Sequence, residues 1–375
     1  MSSGRTKYLV IGLIAMLFNS TYQYSWNAYE PLIMKDLNAN IVQVELAFTL
    51  FVILSTMTQI LSGYLADLYG PRLVGIPASL LMSCSLILSS IVSNINLFYI
   101  TWSLGSIGVG ILFGLSLNLA IKWFEDKRGL ASGLVSMGFG IGGAIANPFI
   151  LHFTTYREPM LLIGILALVT VPILYVFAKY PKNVKGRDPV AIIKERNFWL
   201  VYLSFSLIAV PLLLSSSSLS VIGRFMSLTK YSTLIVLFPT ANGIGRPIIG
   251  FISDKIGRTK GIILINVLMI LAVILLIISI FQSLIMLLFI GIILIGMMGG
   301  ASLPIYMSFI GDLYGAKFST SNTAILYTGK AISGVLGSTT FIILYVNYGY
   351  FSLYFILLLT FVSLISIMII RISHK

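Results

Sequence analysis

Charge is scarce in this sequence. Only 9% of its 375 residues are Asp, Glu, Lys or Arg, and 58% are hydrophobic. Soluble domains carry about 25% charged residues, so a water-soluble globule around one apolar core is excluded. A single cysteine, Cys84, rules out an internal disulfide and a cysteine-based metal site. The two histidines, His152 and His374, fall at a predicted helix end and in the C-terminal tail, which gives neither a metal site nor a proton relay. Strict apolar–polar alternation is missing too, and with it a membrane β-barrel. No embedded nucleophile–base pair is visible, so an enzyme is not expected, nor is any cofactor or metal.

What is present is length without charge. Apolar runs of about 20 residues, enough to cross ~30 Å of hydrocarbon as helix, recur from end to end. They read as twelve spans: 8–29, 41–65, 73–92, 97–122, 130–152, 160–178, 198–222, 232–253, 261–281, 284–310, 318–346 and 351–370. The first is too long for the apolar core of a signal peptide and lacks a small-residue cleavage site, so it is expected to be retained. The fold class expected is an all-α membrane protein with the lipid bilayer as its solvent.

The net charge of +13 is topological. Apart from Lys35, Arg157, Arg224, Lys230 and two embedded residues, every Lys and Arg falls at a terminus or in an even-numbered loop. Basic loops stay inside, which predicts both termini in the cytoplasm and a multi-pass protein of the plasma membrane. A basic stripe interleaved with base-stacking aromatics is absent, so no nucleic-acid partner is expected.

The basic, proline-containing segment 181–197 separates six spans from six, giving halves 1–180 and 198–375 joined by a cytoplasmic linker. An internal repeat supports this division. Gly63, Asp67 and Gly70 recur, at one constant offset, as Gly250, Asp254 and Gly257, each set ending an even-numbered span. Duplicated halves imply a cavity at their interface, near the bilayer midplane. The spacing G-x-x-x-D-x-x-G suits either a loop staple or a cytoplasmic latch, in which the Asp caps a helix start or pairs with an Arg across a short loop; Asp67, Arg72, Asp254 and Arg258 are the candidate residues. At these residues the chain resembles the major facilitator superfamily, although Pro71 stands where that family usually has Arg and Arg72 follows one place later. The small residues Gly138, Gly140, Gly142 and Gly143 in span five, and Gly329, Gly334 and Gly337 in span eleven, read as close helix packing in lipid. Asn147-Pro148 is expected to bend or weaken span five.

Two cations are embedded. Arg246 lies about 12 Å of helix before Asp254, and Lys330 about 20 Å of helix beyond Lys317. All eleven acids, namely Glu30, Asp36, Glu45, Asp67, Glu125, Asp126, Glu158, Asp188, Glu195, Asp254 and Asp312, fall in loops or near span ends. A buried cation costs at least ~2.5–3.5 kcal/mol on insertion scales, so such residues mark pathways. Two like charges about 6 Å apart repel by about 3 kcal/mol at an effective dielectric near 20. A bound carboxylate reverses that sign. The missing negative charge is therefore expected to arrive with a small carboxylate substrate, held bidentately by Arg246 and as a point charge by Lys330. Tyr327, three residues before Lys330, shares its helix face and either donates to substrate or packs.

Here the resemblance narrows. Asp312-Leu-Tyr-Gly-Ala-Lys-Phe-Ser-Thr-Ser-Asn-Thr-Ala-Ile-Leu-Tyr327-Thr-Gly-Lys330, Asn242-x-x-x-Arg246-Pro, Lys122-Trp-Phe-Glu-Asp-Lys-Arg128-Gly and Gln23-Tyr24-Ser-Trp26 look like the oxalate/formate antiporter family. The resemblance implies that Arg246 and Lys330 bind substrate carboxylates and that Gln23 and Tyr24 face the cavity. It also implies anion exchange by alternating access. Two departures stand out: Gly299-Gly-Ala-Ser-Leu303 where oxalate exchangers place aromatics, and Phe113 where a Tyr is usual. They suggest a roomier cage that suits a monocarboxylate such as lactate or pyruvate, or a larger dicarboxylate. Monocarboxylate transporters resemble the same motif but often carry Asp where Asn242 stands. Proton-coupled symport, with Glu30 as the one nearby carboxyl, is the alternative within this class. A non-transporting membrane anion sensor is the alternative outside it. The chain is expected to act as a monomer. Trp26 reads as packing, and Ser215–Ser218 as path lining or back-bonded helix.

Overall fold

The computed structural model describes residues 3–181, 185–222 and 228–370. Two sequence expectations, Arg224 in an odd-numbered loop and His374 in the tail, lie outside the described residues. The described chain is helical almost throughout. Its spans are α1 (Ser3–Gln23, resuming as Trp26–Asp36), α2 (Ile41–Met57, continuing as Gln59–Tyr69), α3 (Pro71–Ile91), α4 (Ile95–Trp123), α5 (Arg128–Ile150) and α6 (Arg157–Val176). The second set is α7 (Arg196–Ile208, then Val210–Ser217), α8 (Leu228–Ile256), α9 (Arg258–Phe281), α10 (Ile285–Tyr314), α11 (Ser319–Tyr327, Gly329–Val335 and Phe341–Tyr348) and α12 (Ser352–Met368).

Local signals set these boundaries. Asn40 and Gln43 form a reciprocal capping box at the start of α2, and the Asn94 side chain accepts from Leu97 N at the start of α4. The repeated motif ends both times in the same backbone state, Gly70 at φ 92 and Gly257 at φ 93. Only glycine takes that conformation without strain, so both copies turn the chain alike.

Ten helical runs among the described residues are long and apolar enough to cross a membrane, against the twelve spans read from sequence. The two counts reconcile in detail. One run, Ser319–Met368, is 50 residues long and contains the reversal at Gly349, φ 58, so it holds both α11 and α12. The other difference is α1, whose middle carries Asn19, Ser20, Thr21, Gln23, Ser25 and Asn27, all buried. These buried polar side chains face protein and make α1 less apolar than the other spans.

Packing between the halves is tightest at α5, which lies between α1 and α8. Gly140 faces the α8 backbone, where an added Cβ would stand 2.8 Å from the Pro239 carbonyl oxygen. Close approach through glycine is what helices use in lipid, where hydrophobicity does not hold them together. Pro148 does not end α5, which runs on to Ile150. The adjacent Asn147 Nδ2 donates to the Tyr24 and Ile235 carbonyls, both at 3.0 Å, and so ties α1, α5 and α8 together. Gly140→Ala is expected to force α5 from α8 at a cost of about 1–3 kcal/mol, seen as a lower thermal midpoint of the detergent-purified protein.

Candidate functional site

Both embedded cations point between the halves and are closed off from solvent. Arg246 is 0% exposed and Lys330 1%. Each is held by neutral groups. Arg246 Nη2 and Nε donate to Asn242 Oδ1 at 2.7 and 3.2 Å, and Nη2 reaches Tyr24 OH at 3.4 Å. Asn242 is itself fixed, since its Nδ2 donates to the Gly296 carbonyl of α10 at 3.2 Å. Lys330 follows the break of α11 at Thr328. Its Nζ donates to Gln23 Oε1 at 2.7 Å and to Tyr327 OH at 3.0 Å.

Aromatic rings surround this pair. Lys330 Nζ lies 5.2 Å from the Tyr327 ring centroid, 5.7 Å from Phe51, 5.8 Å from Phe139 and 6.0 Å from Phe113. The Arg246 guanidinium lies 5.6 Å from Phe139, so one ring borders both cations. Phe113 stacks on Tyr327 at 4.9 Å, and Tyr24 meets Phe139 edge-on at 5.3 Å. Electron-rich ring faces stabilise cations without neutralising them.

The six site residues read from sequence, Gln23, Tyr24, Asn242, Arg246, Tyr327 and Lys330, therefore come together. Gln23 and Tyr24 sit where α1 breaks before Trp26, and each meets a cation of the other half. Two N–H groups in the cluster are buried without an acceptor, Arg246 Nη1 and Gln23 Nε2. Every ion pair recorded among the described residues lies elsewhere in the chain. The cluster thus carries two cationic groups and two unpartnered buried donors, with no carboxylate beside them among the described residues.

One expectation is corrected here. Gly299 and Gly300 do not widen the cage. An added Cβ on Gly299 would sit 2.8 Å from Leu212 Cβ, and one on Gly300 would sit 2.8 Å from Asn242 Cγ. The small residues let α10 close on α7 and α8, which clamps the asparagine that orients Arg246. The rings instead come from α2, α4 and α5 as Phe51, Phe113 and Phe139. Of these, sequence reasoning singled out only Phe113, because an aromatic inside a span looks the same whether it faces lipid or the site.

At the end of the bundle bearing the basic loops, charges cross between halves. Arg72 is exposed and does not partner Asp67. Asp67 pairs instead with Lys122 at 2.8 Å, both side chains being at most 2% exposed, and it accepts from Ser321 N and Oγ of α11 at 2.9 and 2.6 Å. Lys122 Nζ also donates to the carbonyls of Ala316 and Lys317, each at 2.8 Å. The displaced Pro71 opens α3 directly and leaves Arg72 facing outward. In the second copy the expected pair is present, Asp254 with Arg258 at 2.5 Å. Asp254 also accepts from Gly129 N and Leu130 N at the start of α5. Arg258 and Arg128 converge on Asp312, each at 2.8 Å. Lys122, Arg128 and Ser321 lay within the motifs noted in sequence, but nothing in their spacing named their partners. Lys122→Met is expected to leave Asp67 buried and unpaired, a cost of about 3–5 kcal/mol. Labelling of a cysteine placed at Thr323 from the basic side should rise accordingly.

The comparisons agree with this architecture. A family model described as Major Facilitator Superfamily matches twice, over residues 9–223 and 197–374. The chain is 39% identical to an uncharacterized 38 kDa protein in the 23S RNA operon of Thermoproteus tenax, over 90% of this chain and 88% of that one. It is 26% identical to the oxalate:formate antiporter of Oxalobacter formigenes, over 94% and 88% respectively. It is 25% identical to a probable sulfoacetate transporter of Cupriavidus necator, over 44% and 40%. With helices along almost all of its described length and a family match over residues 9–223 and again over 197–374, this chain is a membrane transporter belonging to the Major Facilitator Superfamily.

Proposed function

We propose that the chain carries small organic carboxylate anions by alternating access, and that it exchanges one anion for another. The observation that carries this reading is the pair of buried, acid-free cations, with Arg246 Nη1 and Gln23 Nε2 unpartnered beside them. A relative named for oxalate and formate, similar over nearly the whole chain, supports the same substrate class.

Each group has a role in this reading. Arg246 grips one carboxylate through its free edge while Asn242 holds the opposite edge. Lys330 balances a second carboxylate or the remaining charge, and Gln23 Nε2 and the hydroxyls of Tyr24 and Tyr327 complete the acceptor's hydrogen bonds. Because a single ring, Phe139, borders both cations, a short dicarboxylate reaches the two at once and a monocarboxylate takes Arg246 alone. The bound anion removes the repulsion between Arg246 and Lys330 and permits both gates to close around it. The gate at the basic end is the network of Asp67, Lys122, Asp254, Arg258 and Asp312, placed in the cytoplasm with both termini and the 181–197 linker. The halves 1–180 and 198–375 rock about the site as a monomer in the plasma membrane.

The test is counterflow in proteoliposomes. Uptake of labelled oxalate, formate, lactate or malonate should be several-fold faster into vesicles preloaded with the same anion than into empty ones. Equal initial rates overturn exchange, and no uptake of any carboxylate overturns the substrate class.

A further inference from the structure

The far end of the bundle holds a second polar cluster, built of acceptors. Asn27 and Glu30 lie three residues apart on one face of α1 beyond its break and are 4% and 5% exposed. Asn27 Nδ2 donates to the Ser216 carbonyl of α7 at 2.8 Å, which leaves its Oδ1 buried without a donor. Glu30 Oε2 is buried without a donor as well. Glu45 of α2 joins them. Its Oε1 accepts from the indole of Trp26 at 3.3 Å, one helical turn from Glu30 on the same face, and its Oε2 has no partner.

No cation serves this pair among the described residues. Lys35 donates to the Thr154 carbonyl, Arg157 to that of Ser90, and the ring of His152 is engaged with the Pro148 carbonyl. Lys230 at the start of α8 is exposed. The α7 segment Val210–Ser217, where Ser216 lies, has no titratable side chain. Asp36 of α1 is satisfied by Thr155 Oγ1 and Tyr156 N. Among the described residues, the titratable groups left that act on one another here are Tyr231 of α8 and the two carboxyls themselves.

We propose that Glu30 and Glu45 share one bound proton, with Asn27 Oδ1 as a further acceptor, in a proton site where α1, α2, α7 and α8 meet. Two desolvated carboxylates side by side repel, and a single proton converts them into a donor and an acceptor. That hydrogen bond satisfies oxygens the fold otherwise leaves orphaned. An anion is rejected by the same set, because it offers only acceptors. Both carboxyls belong to the first half, while Ser216 and Tyr231 belong to the second. Gain or loss of the proton therefore acts on the seam between halves, at the end opposite the charged gate.

The site extends beyond the carboxylate reading and is tested without substrate. The chain has 4 tryptophans; with Trp102→Phe, Trp123→Phe and Trp199→Phe, emission reports Trp26 alone, bonded to Glu45. In Na⁺-free choline buffer that emission should change with pH as a single proton is gained or lost. It should stop responding in Glu45→Gln and move about one pH unit or more toward acid in Glu30→Gln. Should the triple variant not fold, subtracting the titration of Trp26→Phe from that of the wild-type chain isolates the same signal. An unresponsive emission, or one midpoint shared by wild type and both glutamine variants, overturns the site. A response to NaCl at fixed pH overturns the proton in favour of a metal cation.

Discussion

Arg246→Lys is expected to lower anion exchange about 10–100-fold while the protein stays folded. Lysine keeps the charge but not the planar fork. In the structure one edge of that fork is committed to Asn242 and Tyr24, and Nη1 is left free. A point charge cannot serve both sides together. A hydrogen bond to a charged group contributes about 1.5–3 kcal/mol, which sets the size of the effect. Counterflow normalised to inserted protein measures it, alongside the thermal midpoint as a check on folding. Undiminished exchange would mean that Arg246 is a structural cation.

A larger effect is expected from Asn242→Asp, and it should have opposite signs in stability and function. Asn242 Oδ1 already lies 2.7 Å from Arg246 Nη2. A carboxylate there would form the internal ion pair that the site now lacks. The thermal midpoint should rise, because an uncompensated buried charge becomes paired. Anion affinity should fall about 100-fold or more, since the substrate then competes with a fixed carboxylate for Arg246. Fluorescence or calorimetric binding measured beside the melting curve reads both changes. If Asn242→Asp left affinity intact, the site's net positive charge would not be what recruits the ligand.

Much of this was legible in the chain because membrane helices advertise themselves. Twelve apolar runs, the duplicated Gly–Asp–Gly motif and two isolated cations needed only length, spacing and the cost of burying charge. The repeat even anticipated matching backbone turns at Gly70 and Gly257. The partners were harder to read. Asp67 was expected beside Arg72 by proximity in sequence, yet it is met by Lys122 from α4 and Ser321 from α11. Which helix ends converge is a property of the folded halves. Gly299 and Gly300 misled for a related reason, since a small residue signals either space or close backbone approach. Only the position of the facing helix decides between the two. The aromatic lining was invisible because phenylalanine in a span has no signature for facing inward. Glu30 and Glu45 lie near span ends, where acids ordinarily meet water, so the burial of Glu30 and the partial burial of Glu45 could not be foreseen.

Titration calorimetry of the purified protein with oxalate and with formate tests the central claim most directly, comparing wild type, Lys330→Gln and the double variant Arg246→Gln/Lys330→Gln. Two acid-free cations predict saturable binding of a carboxylate by wild type. Lys330→Gln should weaken oxalate more than formate, and the double variant should show no heat of binding for either. Equal binding by wild type and the double variant would contradict the account, because the anion would then be held somewhere else.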